Sequence, residues 1–197
     1  MNNNNNKKED IIMNKNNEEY LVMHAHTTGL NENFDDEIVE IAIVNNNEKV
    51  LLNTLVKPQK NISDSAIQIH KITNKTVKNS PIFLDIYNDL KSILCNKKVY
   101  IYNASFLLNI LKSTLNINKL ELIDFDAKCV MNLFSNNIFK EYNDYFGNFN
   151  FQTLLTAYTY YYKNDEFKLL NGYGDRTYRA LNDCLMTSKI IKKINQE

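Results

Sequence analysis

The architecture follows from one segment, Glu37-Ile-Val-Glu-Ile-Ala-Ile-Val44, and from the run at residues 49–56 behind it. The segment is rich in β-branched residues, which favour strands because their side chains pack well on a pleated surface. Asn45-Asn46-Asn47 separates the two runs, and short polar segments of this kind are typical of turns. The two runs therefore predict a β-hairpin.

The flanking sequence extends this hairpin into an α/β domain. A brief apolar run at residues 20–26 ends at Thr27-Thr28-Gly29 and predicts a buried strand. Further along the chain, short apolar runs alternate with segments of helical periodicity. The predicted strands are 98–102 and 120–123, and the predicted helices are 65–69, 81–94, 104–115, 127–134, 151–161 and 177–194. Three strands followed by alternating strands and helices predict a mixed β-sheet flanked by α-helices.

The charge balance restricts the class of partner. The chain of 197 residues carries 23 Lys and Arg against 23 Asp and Glu, so its formal net charge is zero. General polyanion binders carry a basic surplus, and the balance argues against that class. Residues 32–40 nevertheless hold only acidic charges, and residues 57–78 hold lysines against one aspartate. These stretches are solvated faces or, for the basic one, a loop that binds phosphates beside a cleft.

Composition also bears on location and domain organisation. No apolar run reaches the roughly 18–20 residues that a membrane span needs. The polar start, Met1 to Asn6, lacks the features of a secretory signal, and Cys95, Cys129 and Cys184 lie far apart in the sequence. We therefore expect a cytoplasmic or nuclear protein with reduced thiols. Residues 1–19 predict a disordered, Asn-rich tail before one domain at 20–197.

Several segments, in a fixed order, carry a resemblance to a known family. They are Leu21-Val-Met-His-Ala-His-Thr-Thr-Gly-Leu30, the hairpin strand that follows it, Lys57-Pro58, Ala66-Ile-Gln-Ile-His70-Lys-Ile-Thr73, Tyr102-Asn103-Ala104-Ser105-Phe106 and Tyr178-Arg179-Ala180-Leu181-Asn182-Asp183. In this order and at these spacings, the segments resemble the DnaQ-like 3′–5′ exonucleases of the DEDDh type. The resemblance implies a ribonuclease-H-like fold, in which three antiparallel strands are followed by parallel strands. It also implies four carboxylates that bind two divalent ions, with a histidine as general base.

The residues at the matching catalytic positions depart from that pattern. His24 and His26 stand where the family's first motif has Asp-x-Glu, and Leu107 stands where its second motif has Asp. Tyr178 replaces the histidine of the third motif, and a phenol with a pKa near 10 is a poor base at neutral pH. Asp183 alone keeps the family's residue.

Two interpretations of this altered site stay open. His24 and His26 are two residues apart on a predicted strand, so both side chains face the same side. Together with Asp183 they form a candidate metal site, in which Mn²⁺ or Zn²⁺ is favoured over Mg²⁺. The alternative is a decayed site that holds no cofactor.

The resemblance also implies a set of nucleotide-binding residues. Thr27, Thr28 and Leu30 match family positions that contact the terminal nucleotide, and His70, Asn103 and Arg179 extend the set. His70 has a structural alternative as a hydrogen-bonded histidine, and Asn103 has one as a helix cap. Arg179 suits phosphate because its planar guanidinium donates two parallel hydrogen bonds, but an exposed arginine at a helix start also favours solubility.

Three functional hypotheses follow. The first is a degenerate exonuclease-like protein, a pseudoenzyme that binds single-stranded DNA or RNA 3′ ends or nucleotides, with Mg²⁺-dependent catalysis lost or strongly impaired. The second is an active 3′–5′ exonuclease or phosphodiesterase that uses His24, His26 and Asp183 around a transition metal. The third is a scaffold for a protein partner. None of them involves a membrane.

Overall fold

The computed structural model describes residues 19–30, 35–145, 147–163 and 180–196. The strands are β1 (Leu21–Thr27), β2 (Ile38–Asn45), β3 (Val50–Leu55), β4 (Lys98–Ile101), β5 (Asp126–Cys129), β6 (Tyr142–Asn143) and β7 (Asn148–Phe149). The helices are α1 (Asp64–His70), α2 (Asn74–Val77), α3 (Phe83–Leu94), α4 (Ala104–Ile117), α5 (Val130–Phe134), α6 (Leu154–Tyr161) and α7 (Ala180–Ile194), and a π-helical segment, Ser135–Phe139, continues α5. The disordered tail predicted for residues 1–19 lies, except for Glu19, outside the described residues.

The main sheet has the strand order β3-β2-β1-β4-β5. β2 pairs antiparallel with both β1 and β3, whereas β4 pairs parallel with β1 and with β5. This arrangement confirms the predicted hairpin and the predicted mixed sheet. Within the described ranges, no helix is both long enough and apolar enough to cross a membrane.

The strands bury both faces of the sheet, and β1 shows how the faces divide. Leu21, Met23 and Ala25 belong to the core that contains the buried residues of α3 and α4. Val22 belongs to the opposite core, with the buried residues of α5, α6 and α7. Side chains alternate along a strand, so His24 and His26 share the face of Val22. Both histidines are thereby directed to the side of the sheet that α7 covers.

The final strand of the sheet is not where the sequence predicts it. The apolar run at 120–123 forms no strand, and β5 lies instead at Asp126–Cys129, partly inside the predicted helix 127–134. β5 is an edge strand with one neighbour, and none of its residues is fully buried. An edge strand of this kind needs no apolar run, so its sequence carries little signal. Ile123 is buried in the core without being part of a strand.

A buried hydroxyl ties the start of β2 to α4. Thr114 Oγ1 accepts a hydrogen bond from the Ile38 backbone N–H at 3.0 Å and donates one to the Ile110 carbonyl at 2.8 Å. Thr114 is fully buried, so water cannot replace these partners. The bond fixes the first residue of the strand that lies beside β1.

We predict that Thr114→Val lowers the free energy of unfolding by about 1–3 kcal/mol, because valine keeps the volume but leaves the Ile38 N–H unsatisfied. Thr114→Ser keeps the hydroxyl and should cost less, about the value of one buried methyl group. Urea unfolding of both variants measures the difference. Equal stability of Thr114→Val and the wild type would contradict the role given to this hydroxyl.

Candidate functional site

Three side chains at the family's catalytic positions, two of them altered, meet between β1 and α7. His24 Nε2 lies 3.0 Å from Asp183 Oδ2, and His26 Nε2 lies 3.9 Å from the same oxygen. One ligand atom from each of the three side chains lies within 4.8 Å of the other two. The structure thus brings together the His24, His26 and Asp183 set that the sequence indicates.

The local folding of two elements explains this meeting. His24 and His26 lie on one face of β1, and their rings are in an edge-to-face arrangement with centroids 5.4 Å apart. Asp183 is in the first turn of α7, which packs against both β1 and β2. His26 and Asp183 are buried, and His24 is partly exposed to the cleft beside it.

The electrostatics favour an ionised carboxylate. Burial, the largest effect, would raise the pKa of Asp183, but the charge and hydrogen bond of His24 and the charge of His26 outweigh it. The pKa of Asp183 therefore lies below its usual value. A buried charge is tolerated only when it is paired, and here the imidazoles provide the pairing.

Glu40 is a fourth member of this cluster that the sequence analysis did not single out. It lies directly opposite His26 in the β1–β2 register, and its Oε2 is 3.7 Å from His26 Nε2. The same oxygen accepts a hydrogen bond from the Ala180 N–H, the first residue of α7, at 2.9 Å. Glu40 is 0% exposed. A carboxylate inside the apolar run Ile38–Asn45 was the sequence signal that could have identified it.

The cluster opens onto a cleft of about 440 Å³. Most of the wall is apolar and includes Leu30, Ile69, Phe106 and Leu107. Leu107 is buried, as an apolar residue at this position predicts. Among the described residues that line the cleft, Asp183 is the only carboxylate.

A family model covers most of the chain. The RNase_T exonuclease model matches residues 25–191. The chain belongs to this exonuclease family. The resemblance to DnaQ-like exonucleases is thereby confirmed.

Sequence relatives agree with this family assignment. The chain is 29% identical over 180 residues to the uncharacterized exonuclease CP81 of Escherichia phage 186, across 88% of this chain and 87% of that protein. It is also 28% identical over 109 residues to the DNA polymerase III subunit epsilon of Rickettsia prowazekii, across 53% of this chain and 48% of the subunit. The chain thus matches about half the length of that subunit.

Solved structures share the fold. Exonuclease X in complex with 5′ overhanging duplex DNA superposes with a TM-score of 0.63 at 22% identity, over 90% of this chain and 91% of that one. The nuclease domain of 3′hExo, a DEDDh family member bound to rAMP, gives a TM-score of 0.63 at 17% identity, over 91% of this chain and 92% of that one. The ribonuclease-H-like fold expected for this exonuclease-family chain is confirmed.

The residues expected to contact a nucleotide do not all face the cleft of this family member. Thr27, Leu30, His70 and Asn103 line it. Thr28 does not, because its hydroxyl donates to Asp36 Oδ1 at 2.9 Å and accepts from the Glu37 N–H at 2.9 Å. The hydroxyl of Thr28 therefore links the end of β1 to the residues directly before β2. Tyr178 and Arg179 lie outside the described residues.

His70 is a hydrogen-bonded structural histidine, the alternative to a nucleotide-binding role. Its Nδ1 accepts a hydrogen bond from the Ile72 N–H at 3.1 Å, which places the ring proton on Nε2, 3.1 Å from the Thr27 carbonyl. Burial, the larger effect, lowers the pKa of His70, although the contact with Thr27 raises it. Both ring nitrogens of this neutral histidine are therefore engaged with the backbone.

The predicted capping role of Asn103 is wrong. Asn103 does precede α4, but its side chain makes no capping hydrogen bond to that helix. Its backbone has φ of +58°, in the left-handed region that asparagine tolerates better than most residues. A capping residue normally has extended backbone, which lets its side-chain oxygen accept from a backbone N–H in the first turn of the helix. The left-handed conformation of Asn103 prevents this hydrogen bond. The exposed Asn103 side chain lies instead beside the cleft.

We predict that Glu40→Met lowers the free energy of unfolding by about 1–3 kcal/mol more than Glu40→Gln does. Both replacements are close to glutamate in volume, but only glutamine keeps an oxygen that can accept from the Ala180 N–H. Urea unfolding followed by circular dichroism measures the difference. If the two variants were equally stable, Glu40 would not be what holds the start of α7.

Proposed function

We propose that this protein binds 3′ ends of single-stranded nucleic acid, or nucleotides, and has lost Mg²⁺-dependent exonuclease catalysis. One observation carries the proposal. Asp183 is the only carboxylate among the described residues that line the cleft, and it is bound to His24 rather than free for a hard cation.

The donor set does not fit the two magnesium ions that the resemblance implies. Mg²⁺ demands nearly octahedral coordination by oxygen, and two ions need several shared carboxylates. Leu107 offers no donor in the cleft wall, and His24 and His26 offer nitrogen. Glu40 does not line the cleft, and its Oε2 accepts from the Ala180 N–H. The described residues therefore supply one available carboxylate where the chemistry requires four.

The rest of the cleft retains what a nucleotide needs. Leu30 and Ile69 are about half exposed at its edge, and Phe106 adds an aromatic ring to the wall. A nucleobase gains stability by stacking on an aromatic ring and by covering apolar surface. Lys71 adds a cation, and the scarcity of carboxylates reduces repulsion of phosphate. Structural relatives with bound duplex DNA or rAMP support the same class of ligand.

The first prediction concerns catalysis. We expect no release of mononucleotides from a 3′-labelled oligonucleotide in Mg²⁺, because the described residues of the cleft supply too few carboxylates for a two-ion site. The variant with His24→Asp, His26→Glu, Leu107→Asp and Tyr178→His rebuilds the family pattern and should release mononucleotides at about a hundred times the background of the assay or more, the scale that a general base alone contributes. Electrophoresis of the labelled products measures both.

The control for this experiment is Asp183→Asn in the rebuilt variant, which should abolish the gained activity. Magnesium-dependent release by the wild type that Asp183→Asn abolishes would contradict the proposal. Circular dichroism of the rebuilt variant shows whether the added carboxylates, which repel one another, still allow the chain to fold.

The second prediction concerns binding. We expect the protein to bind a linear single-stranded oligonucleotide more tightly than a circular one of the same sequence, because only the linear one has a 3′ end. Leu30→Ala should weaken binding by about fivefold to tenfold, since it removes part of the apolar contact at the cleft edge. Fluorescence anisotropy at low salt measures both affinities.

Leu122→Ala is the matched control, because Leu122 is more exposed than Leu30 and does not line the cleft. Its affinity should equal that of the wild type. Equal binding of linear and circular oligonucleotides would exclude recognition of ends. Absence of binding at low salt would favour the protein-partner scaffold instead.

A further inference from the structure

We propose that His24, His26 and Asp183 form a binding site for a single transition-metal ion of the Zn²⁺ class. The proposal goes beyond nucleic-acid binding and does not depend on it. It concerns a donor set of two imidazoles and one carboxylate, which differs in chemistry from a set of four carboxylates.

The spacing of the donors fits one small ion. In a tetrahedral zinc site with bonds of about 2.0–2.1 Å, two ligand atoms lie about 3.3 Å apart. The distances from Asp183 Oδ2 to His24 Nε2 and to His26 Nε2 are 3.0 and 3.9 Å, which bracket that value. Ligand atoms from all three side chains lie within 4.8 Å of one another. Shifts of less than an ångström would place them around an ion.

The rings that would bind the ion differ from the third imidazole of the cleft. His24 Nδ1 is buried and has no hydrogen-bond partner within the part of the chain that the structure describes. Among the described residues, no backbone group forms a hydrogen bond with that nitrogen, so backbone contacts do not hold the His24 ring in one orientation. Both nitrogens of His70 are engaged with Thr27 and Ile72, so His70 has no lone pair to offer. The imidazole ligands of the proposed site are therefore His24 and His26, although three imidazoles line the cleft.

The surrounding charge also suits a divalent ion. Asp183 and Glu40 are both buried, and Glu40 Oε2 lies 3.7 Å from His26 Nε2. Two carboxylates beside two neutral imidazoles would balance an ion of charge +2, which reduces the cost of burying it. Because Glu40 Oε2 faces the same His26 nitrogen that would bind the ion, Glu40 would stand beside the ion as a balancing negative charge.

The cleft gives such an ion an open side. Three protein ligands with a fourth position open to water or substrate are typical of catalytic zinc sites, whereas structural sites are closed by four protein ligands. Imidazole favours zinc and its transition-metal neighbours over magnesium. The geometry thus points to a Zn²⁺-class ion that is reachable from the cleft.

The experiment is a calorimetric titration of chelator-treated protein with ZnCl₂, without nucleic acid, in a Cys95→Ser background that removes the exposed thiol. We expect one Zn²⁺ per chain and no comparable binding of Mg²⁺. His24→Gln, His26→Gln and Asp183→Asn should each weaken Zn²⁺ binding by about tenfold or more, the scale of losing one well-placed ligand. Asp126→Asn, the matched control, changes an exposed carboxylate that does not line the cleft and should leave Zn²⁺ binding unchanged.

A second measurement keeps the proposal testable if a variant fails to fold. Co²⁺ added to the Cys95→Ser protein should give the visible absorption of a four- or five-coordinate site, and Zn²⁺ should displace it. Featureless Co²⁺ spectra, Zn²⁺ binding that all three folded variants retain, or equal affinity for Mg²⁺ would each overturn the proposal. Because nucleic acid is absent, these outcomes are independent of the proposed 3′-end binding.

Discussion

The burial of charge between β1, β2 and α7 is the constraint on which this site depends. Asp183 from the helix meets His24 from β1, and Glu40 from β2 meets both His26 and the start of the helix. Buried carboxylates are costly unless they are paired, so these contacts position the helix as well as the side chains. Removal of one partner would leave the other as a buried charge without a compensating charge beside it.

This constraint explains how the altered motif residues are accommodated. Four carboxylates in one pocket repel one another and rely on cations to hold them together. In this chain, imidazoles face carboxylates, and Leu107 is buried against the apolar core. The pocket can therefore be stable without a cation, yet its two imidazoles and one carboxylate remain close enough for one ion. Both the proposed loss of magnesium chemistry and the proposed transition-metal site follow from the same substitution of nitrogen for oxygen.

Much of the fold was predictable because its signals are local. The hairpin of β2 and β3 follows from β-branched runs around a polar turn, and the position of α4 follows from apolar residues at helical spacing. β5 was not predictable, since its pairing with β4 is decided by distant residues and its own sequence is half-exposed and polar. The left-handed Asn103 was missed for a related reason. Its conformation depends on how the chain leaves β4 and enters α4, which residue type alone does not specify.

The sequence by itself determined the family, the mixed sheet and the identity of His24, His26 and Asp183 as one candidate site. It could do so because motif order and two-residue alternation along a strand are properties of the chain itself. Only the tertiary structure decided that Glu40 joins the site, that Thr28 turns its hydroxyl to Asp36 and that the nitrogens of His70 are occupied. Each of these depends on the register between strands or on the packing of a loop, which places residues distant in sequence within hydrogen-bonding or electrostatic reach.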